Sequence, residues 1–278
     1  MSRWLEAVKG GRRLVLAHRG GRSLAPENTL EAARKGFSLG ADGWELDVRL
    51  SADTVPVVIH DAGLSRTTDA GERLPGGRPW EVEDLDLETL RELDAGTWFV
   101  RTDPFGRIEA GEVPPEEARR YRGAMIPTLA QALELTREQE KLVNVEIKDM
   151  AGKRGHGVVA ERVAGEIARA GMEDRILVSS FNPGYLTRVR ALLPGLPLGL
   201  LNDRAAEDPL SLVRSVGADF YHPRGDTVSP EQVESLALAR VPVLVWTINR
   251  PEEMERFRAA GAAGVITDFP QLFKGGRS

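Results

Sequence analysis

Two histidines and three acids stand where short extended runs would bring them together. His18 and His60 each close an apolar run, at 14–18 and 55–60. An imidazole exchanges protons near neutral pH, so a pair of them suits general acid–base work. Glu45 and Asp47 lie two apart in the run 44–50, and Glu146 lies in the run 142–148. In a strand, residues two apart share a face. Glu45 and Asp47 therefore point one way, and Trp44, Leu46 and Val48 the other. Glu146 goes with Asn144 and Lys148, away from Val145 and Ile147. Three carboxylates in one buried mouth raise one another's pKa and resist ionisation. A divalent cation relieves this, and an all-oxygen donor set suits Mg²⁺ or Ca²⁺ rather than a structural zinc. Rim salt bridges to Arg19, Arg49 and Lys148 are the plainer use of the same acids.

Other residues have two readings each. Arg19 and Lys148 beside a metal make a site for an anion, phosphate first among them. Lys148 also suits a Schiff base, but three nearby acids would keep it protonated. Phe181 and Trp246 end strands and offer an aromatic wall for an organic group, or pack as core. Asp61 either orients His60 or caps the next turn. Asn28 or Thr29 caps a helix, with Glu27 placed to orient Arg19. His156 reads as a hydrogen-bonded structural residue, and His222 sits ambiguously at a rim.

These side chains need elements to hold them. Eight short, largely apolar runs, most with β-branched residues, fall at 14–18, 44–50, 142–148, 176–181, 198–201, 219–222, 243–248 and 264–268, each bounded by turn residues. Helical stretches fall between them at 29–39, 157–170, 183–192, 210–216, 230–239 and 251–260. Several open on a cap or a proline and several close on glycine. Such alternation predicts a (β/α)8 TIM barrel, with an open doubly wound sheet as runner-up. In a barrel, chemistry sits at the C-terminal strand ends, where His18, Asp47 and Glu146 fall. The run 55–59 follows 44–50 too closely for a parallel crossover. The two form an antiparallel hairpin; a turn centred on Ala52-Asp53 sets Asp47 opposite Val58 and Glu45 beside His60. Residues 62–122 are polar and rich in glycine and proline. They read as an insertion or small subdomain over the mouth of a single domain spanning 1–278.

Composition closes off other classes. The chain has 278 residues, 41% hydrophobic and 28% charged, which suits a folded globular protein and excludes disorder. With no Cys, disulfides, thiolate metal sites and cysteine nucleophiles are out. A net charge of −5 disfavours a nucleic-acid partner. No run approaches the roughly 18 apolar residues of a membrane span, and the charged N-terminus lacks a leader's apolar run. A cytoplasmic location is expected. No GxxxxGK[ST] or strand-following GxGxxG is present, so no nucleotide-cradling loop is expected.

In order along nearly the whole chain come His18-Arg19-Gly20, Pro26-Glu27-Asn28-Thr29, Glu45-Leu46-Asp47, His60-Asp61 and Arg66-Thr67-Thr68. Leu93-Asp94-Ala95-Gly96, Ile126-Pro127-Thr128-Leu129, Val145-Glu146-Ile147-Lys148 and Ser180-Phe181 follow, then Trp246-Thr247-Ile248-Asn249 and Ile266-Thr267-Asp268-Phe269-Pro270. Together they resemble the signature of the glycerophosphodiester phosphodiesterases. The resemblance implies a TIM barrel with a small insert and one divalent cation, Mg²⁺ or Ca²⁺. It makes His18 and His60 the acid–base pair, Glu45, Asp47 and Glu146 the metal ligands, and Arg19 and Lys148 the phosphate contacts. The implied substrate is a small glycerophosphodiester, cleaved through a cyclic phosphate to glycerol 3-phosphate and an alcohol. A lysophospholipase D-like activity on lysolipids and a non-catalytic glycerophosphodiester-binding barrel are the alternatives. Three departures stand out: a longer stretch at 99–122, Gln131 where an acid is common, and Thr54 where a turn glycine is usual. Head group, choice of metal, which histidine is the first base, and oligomeric state stay open.

Overall fold

Short runs of β-branched and leucine residues, closed by glycine, aspartate or proline, cannot sustain helices and pair instead. In the computed structural model, which describes residues 2–76 and 79–273, they form nine strands. These are β1 (Leu14–His18), β2 (Gly43–Leu50), β3 (Pro56–Val58), β4 (Leu142–Ile147), β5 (Ile176–Ser180), β6 (Leu198–Asn202), β7 (Phe220–Pro223), β8 (Leu244–Val245) and β9 (Gly264–Thr267). Eight run parallel in the order β7-β6-β5-β4-β2-β1-β9-β8. Bridges from Tyr221 to Val243 and from Arg224 to Trp246 bring β7 round to β8. The sheet is thus a nearly closed eight-stranded barrel with helices outside it, not an open doubly wound sheet.

Period two sorts the side chains as expected. Trp44, Leu46, Val48, Val145 and Ile147 pack outward into one core with the helices. Inside, at the N-terminal strand ends, Leu14, Leu142, Leu177, Phe220 and Leu244 gather around Trp4. Trp4 comes from a helix at Arg3–Lys9 and meets Phe220 edge-on, with ring centroids 6.1 Å apart. The apolar floor leaves the polar residues of the same faces for the opposite end. Outside 62–122, two α-helices go beyond those expected: this one and Leu129–Glu138. The second begins with a reciprocal cap, Thr128 accepting from the Gln131 N–H and the Gln131 side chain accepting from the Thr128 N–H. Gln131 thus performs the capping of the acid it replaces.

The hairpin is present, but its register differs by one residue. Val48 pairs with Val58 and Leu50 with Pro56, so Asp47 stands opposite Ile59, not Val58. Glu45 is correspondingly not opposite His60, whose carbonyl instead accepts from Arg49 Nε at 2.9 Å. The cause is a loop of three residues, closed by hydrogen bonds between Ser51 and Val55. Its last residue, Thr54, sits in the left-handed region at φ 62°, the usual geometry of three-residue hairpins. Residues 62–122 carry more structure than their composition suggests. They form short helices at Ala70–Arg73, Leu87–Arg91, Thr97–Thr102 and Pro115–Tyr121. Leu64, Val82, Leu90 and Leu93 close over Val57 and Ile59, while Phe99, Val113 and Tyr121 close over Leu24 and Ala32. Among the described residues no helix is long and apolar enough to cross a membrane.

Candidate active site

Parallel pairing carries the acids to one another. β1 sets His18 beside Glu45, and β4 sets Glu146 beside Asp47. Carboxylate oxygens of Glu45, Asp47 and Glu146 lie within 4.8 Å of one another, and all three residues are buried. Asn28, at φ 58°, locks the middle acid: its amide donates to Asp47 Oδ2 at 2.8 Å and accepts the Asp47 N–H at 3.2 Å. The helix cap is therefore Thr29, whose hydroxyl accepts from the Ala32 N–H. Arg19, also left-handed at φ 51°, gives its backbone N–H to Glu45 Oε2 at 3.1 Å. The chain turns there because Gly20 follows; a Cβ on Gly20 would sit 2.5 Å from the Ala32 backbone.

Two cations share the three acids. Lys148 Nζ is 2.7 Å from Glu146 and 3.3 Å from Asp47, and Arg19 Nε is 3.3 Å from Asp47. Arg49 is not among them; it pairs with Glu83 at 3.1 Å. Burial opposes ionisation of Asp47, but Lys148 and Arg19 outweigh it and hold this carboxyl far below the ordinary range. Glu45 goes the other way: burial, then the charges of Asp47 and Glu146, push it well up. Glu146 is also raised, chiefly by burial, with Lys148 pulling against it. Burial alone would weaken the protonation of Lys148, yet Asp47 and Glu146 raise it, so no free amine stands ready for a Schiff base. Glu45 Oε1 has no hydrogen-bond partner among the described residues. Buried oxygens, excess negative charge and an orphaned carboxylate oxygen together fit a hard divalent cation.

The two histidines are held alike. His18 Nδ1 lies 2.6 Å from Asp268 Oδ1, and His60 Nδ1 lies 2.5 Å from Asp61 Oδ1. A carboxylate only accepts, so each Nδ1 carries the proton and each Nε2 is left to exchange one. His18 Nε2 looks toward Glu45 Oε2 at 3.8 Å. Burial lowers the His18 pKa against the opposing pull of Asp268. Asn249 Nδ2 fixes Asp268 at 2.8 Å. Asp61 does orient the imidazole. Phe181 and Trp246 meet edge-on, with centroids 5.7 Å apart, and the Trp246 indole donates to the His222 carbonyl. His222 leaves the rim: it is fully buried over Gly199, and burial alone pushes it down to about 3. His156 bonds Tyr185 at 2.7 Å, the structural part expected of it. Sequence reasoning gave no role to Asp268, Arg22 or Arg66. The signal for Asp268 was its place at the end of the last strand.

The sequence model of the glycerophosphoryl diester phosphodiesterase family matches residues 18–272. The chain belongs to this family. A glycerophosphodiester phosphodiesterase of Caldanaerobacter subterraneus subsp. tengcongensis is 37% identical over 258 residues, 93% of this chain and 95% of that one. One from Bacillus altitudinis is 32% identical over 259 residues, 92% of this chain and 94% of that one. Among solved structures, an Oleispira antarctica phosphodiesterase in complex with the product sn-glycerol-3-phosphate superposes with a TM-score of 0.81. It is 26% identical, over 96% of this chain and 97% of that one. This glycerophosphodiester phosphodiesterase is therefore a hydrolase of phosphoric diesters on a TIM barrel.

Proposed function

We propose that this phosphodiesterase cleaves glycerophosphodiesters to glycerol 3-phosphate and an alcohol, using Glu45, Asp47 and Glu146 to hold one Mg²⁺ or Ca²⁺. The observation that carries the proposal is the pairing of two Nδ1-anchored imidazoles with three converging buried carboxylates. The product found in the Oleispira relative supports the same product here. When bound, the cation supplies positive charge to the phosphoryl oxygens as a Lewis acid.

The protein's own groups account for the proton transfers. One Nε2 takes the proton of the glycerol hydroxyl next to the ester, and that oxygen attacks phosphorus to close a cyclic phosphate. The other imidazole, protonated, gives its proton to the departing alkoxide. Water then opens the ring with the two roles exchanged. Arg19 and Lys148 donate to the phosphoryl oxygens as charge builds there. Phe181 and Trp246 present an apolar edge for the glycerol carbons. We read 1–278 as one domain with 62–122 inserted over the mouth. Contacts from Arg66 to Glu27 and from Phe105 to Phe269 support that placement. The test is release of glycerol 3-phosphate from a panel of glycerophosphodiesters after metal stripping, then with Mg²⁺ or Ca²⁺ restored. Phosphorus NMR follows the cyclic species. No release from any panel member by metal-loaded protein removes the reading.

A further inference from the structure

Glu27, only 5% exposed, receives three guanidiniums at once. Its Oε1 accepts from Arg19 Nη1 and Arg66 Nη2, each at 2.8 Å, and its Oε2 lies 2.9 Å from Arg22 Nη2. Each arginine then reaches a second acid. Arg66 Nε bonds Asp61, the anchor of His60. Arg22 Nη1 lies 3.5 Å from Asp268, the anchor of His18. Arg19 Nε lies 3.3 Å from Asp47. One buried carboxylate is thus a single step from both histidine anchors and from the central acid of the triad. Two arms are covered by rings from the 62–122 segment, Trp98 at 5.9 Å from the Arg66 guanidinium carbon and Phe105 at 5.3 Å from that of Arg22. A guanidinium is a rigid planar fork, so fixing one edge and covering one face fixes the edge that holds the second acid.

Resting on the proposed reaction, we infer that Glu27 is a positioning residue. Through Arg66, Arg22 and Arg19 it sets the spacing of the two imidazoles from each other and from Asp47, with Trp98 and Phe105 clamping two of the arms. The spacing matters because acid and base must reach opposite oxygens of one phosphorus, and a misplacement of about 1 Å costs roughly 100-fold in rate.

The chain has four histidines, so its imidazole nitrogen NMR spectrum holds four spin systems, with His156 and His222 outside the fork as internal references. At one fixed pH, Arg66→Lys moves the His60 resonances alone and Arg22→Lys those of His18 alone, because lysine keeps the charge and loses the fork. Glu27→Gln moves both, and lowers kcat by about 10- to 100-fold while KM stays within roughly threefold. Unmoved His18 and His60 in a folded Glu27→Gln protein overturn the inference. So does equal movement of both histidines in either lysine variant, or a raised KM with kcat retained. Should Glu27→Gln not fold, the two lysine variants decide alone. Failure of the wild type to release glycerol 3-phosphate defeats the proposed reaction instead, and the resonances still decide the fork.

Discussion

An imidazole that gives and takes a proton at one nitrogen must have the other committed. Asp268 and Asp61 commit Nδ1 of His18 and His60, and both acids lie below the ordinary carboxylate range. For Asp268 burial works against ionisation, but the charge and hydrogen bond of His18, with Arg22 and Asn249, together outweigh it; for Asp61 the His60 hydrogen bond is the largest pull. Replacing either histidine with alanine should cost about 10²–10⁴-fold in kcat, since that is what one positioned acid or base contributes. Asp268→Asn keeps the size but frees the tautomer, so its loss should be smaller and confined to kcat. Initial-rate measurements of glycerol 3-phosphate release check all three, and near-normal turnover in His18→Ala or His60→Ala would remove the assignment. The acids and histidines were legible from the sequence because period two and strand ends are local signals. The His18–Asp268 bond was not, because its partners are 250 residues apart and only barrel closure joins them.

The strands, and all but one of the helices packed between barrel strands, were legible because burial on both faces leaves short apolar runs that turn residues delimit. The hairpin register was not, because it depends on the handedness of a single loop residue. A β-branched residue at positive φ carries about 1–2 kcal/mol of strain, against which glycine gives back about 0.5–1 kcal/mol of chain entropy. Thr54→Gly should therefore stabilise the protein by about 0.5–1 kcal/mol. The register, and with it activity, should stay unchanged. Denaturant unfolding with equal m-values reads this, and a destabilised variant would show that Thr54 earns its place through contacts rather than enduring its φ. The helix at Leu129–Glu138 was overlooked although Thr128 and Gln131 spell a capping box. The short helices of 62–122 were illegible because their apolar partners, Val57, Ile59 and Leu24, lie outside the segment.

Across the whole molecule, two sets of carboxylates pull stability in opposite directions with pH. Glu27 is held down to about 2: burial opposes this, but Arg66, Arg19 and Arg22 prevail. A depressed carboxylate adds stability above its unfolded pKa, and that stability fades as pH falls from about 4.5 through about 2. Glu45 and Glu146 are raised. Their ionisation is costly in the fold, so stability falls as pH climbs from the ordinary carboxylate range toward their raised values. Metal-free protein should then be most stable on the acid side of neutrality. Mg²⁺ or Ca²⁺ should add more at about pH 8, where all three acids must be charged, than at about pH 5. At 100 times Kd the gain is about 2.7 kcal/mol, or roughly 5–10 °C in Tm for a chain of this size. Glu45→Gln separates this account from nonspecific salt effects. It removes the acid least willing to ionise, so the metal-free variant should melt above metal-free wild type at about pH 8 and gain nothing from added cation. Calorimetric scans with and without chelator measure both halves. A wild-type Tm indifferent to cation, or a Glu45→Gln protein that melts lower than its parent, would mean that the three acids are already satisfied by Lys148 and Arg19 alone.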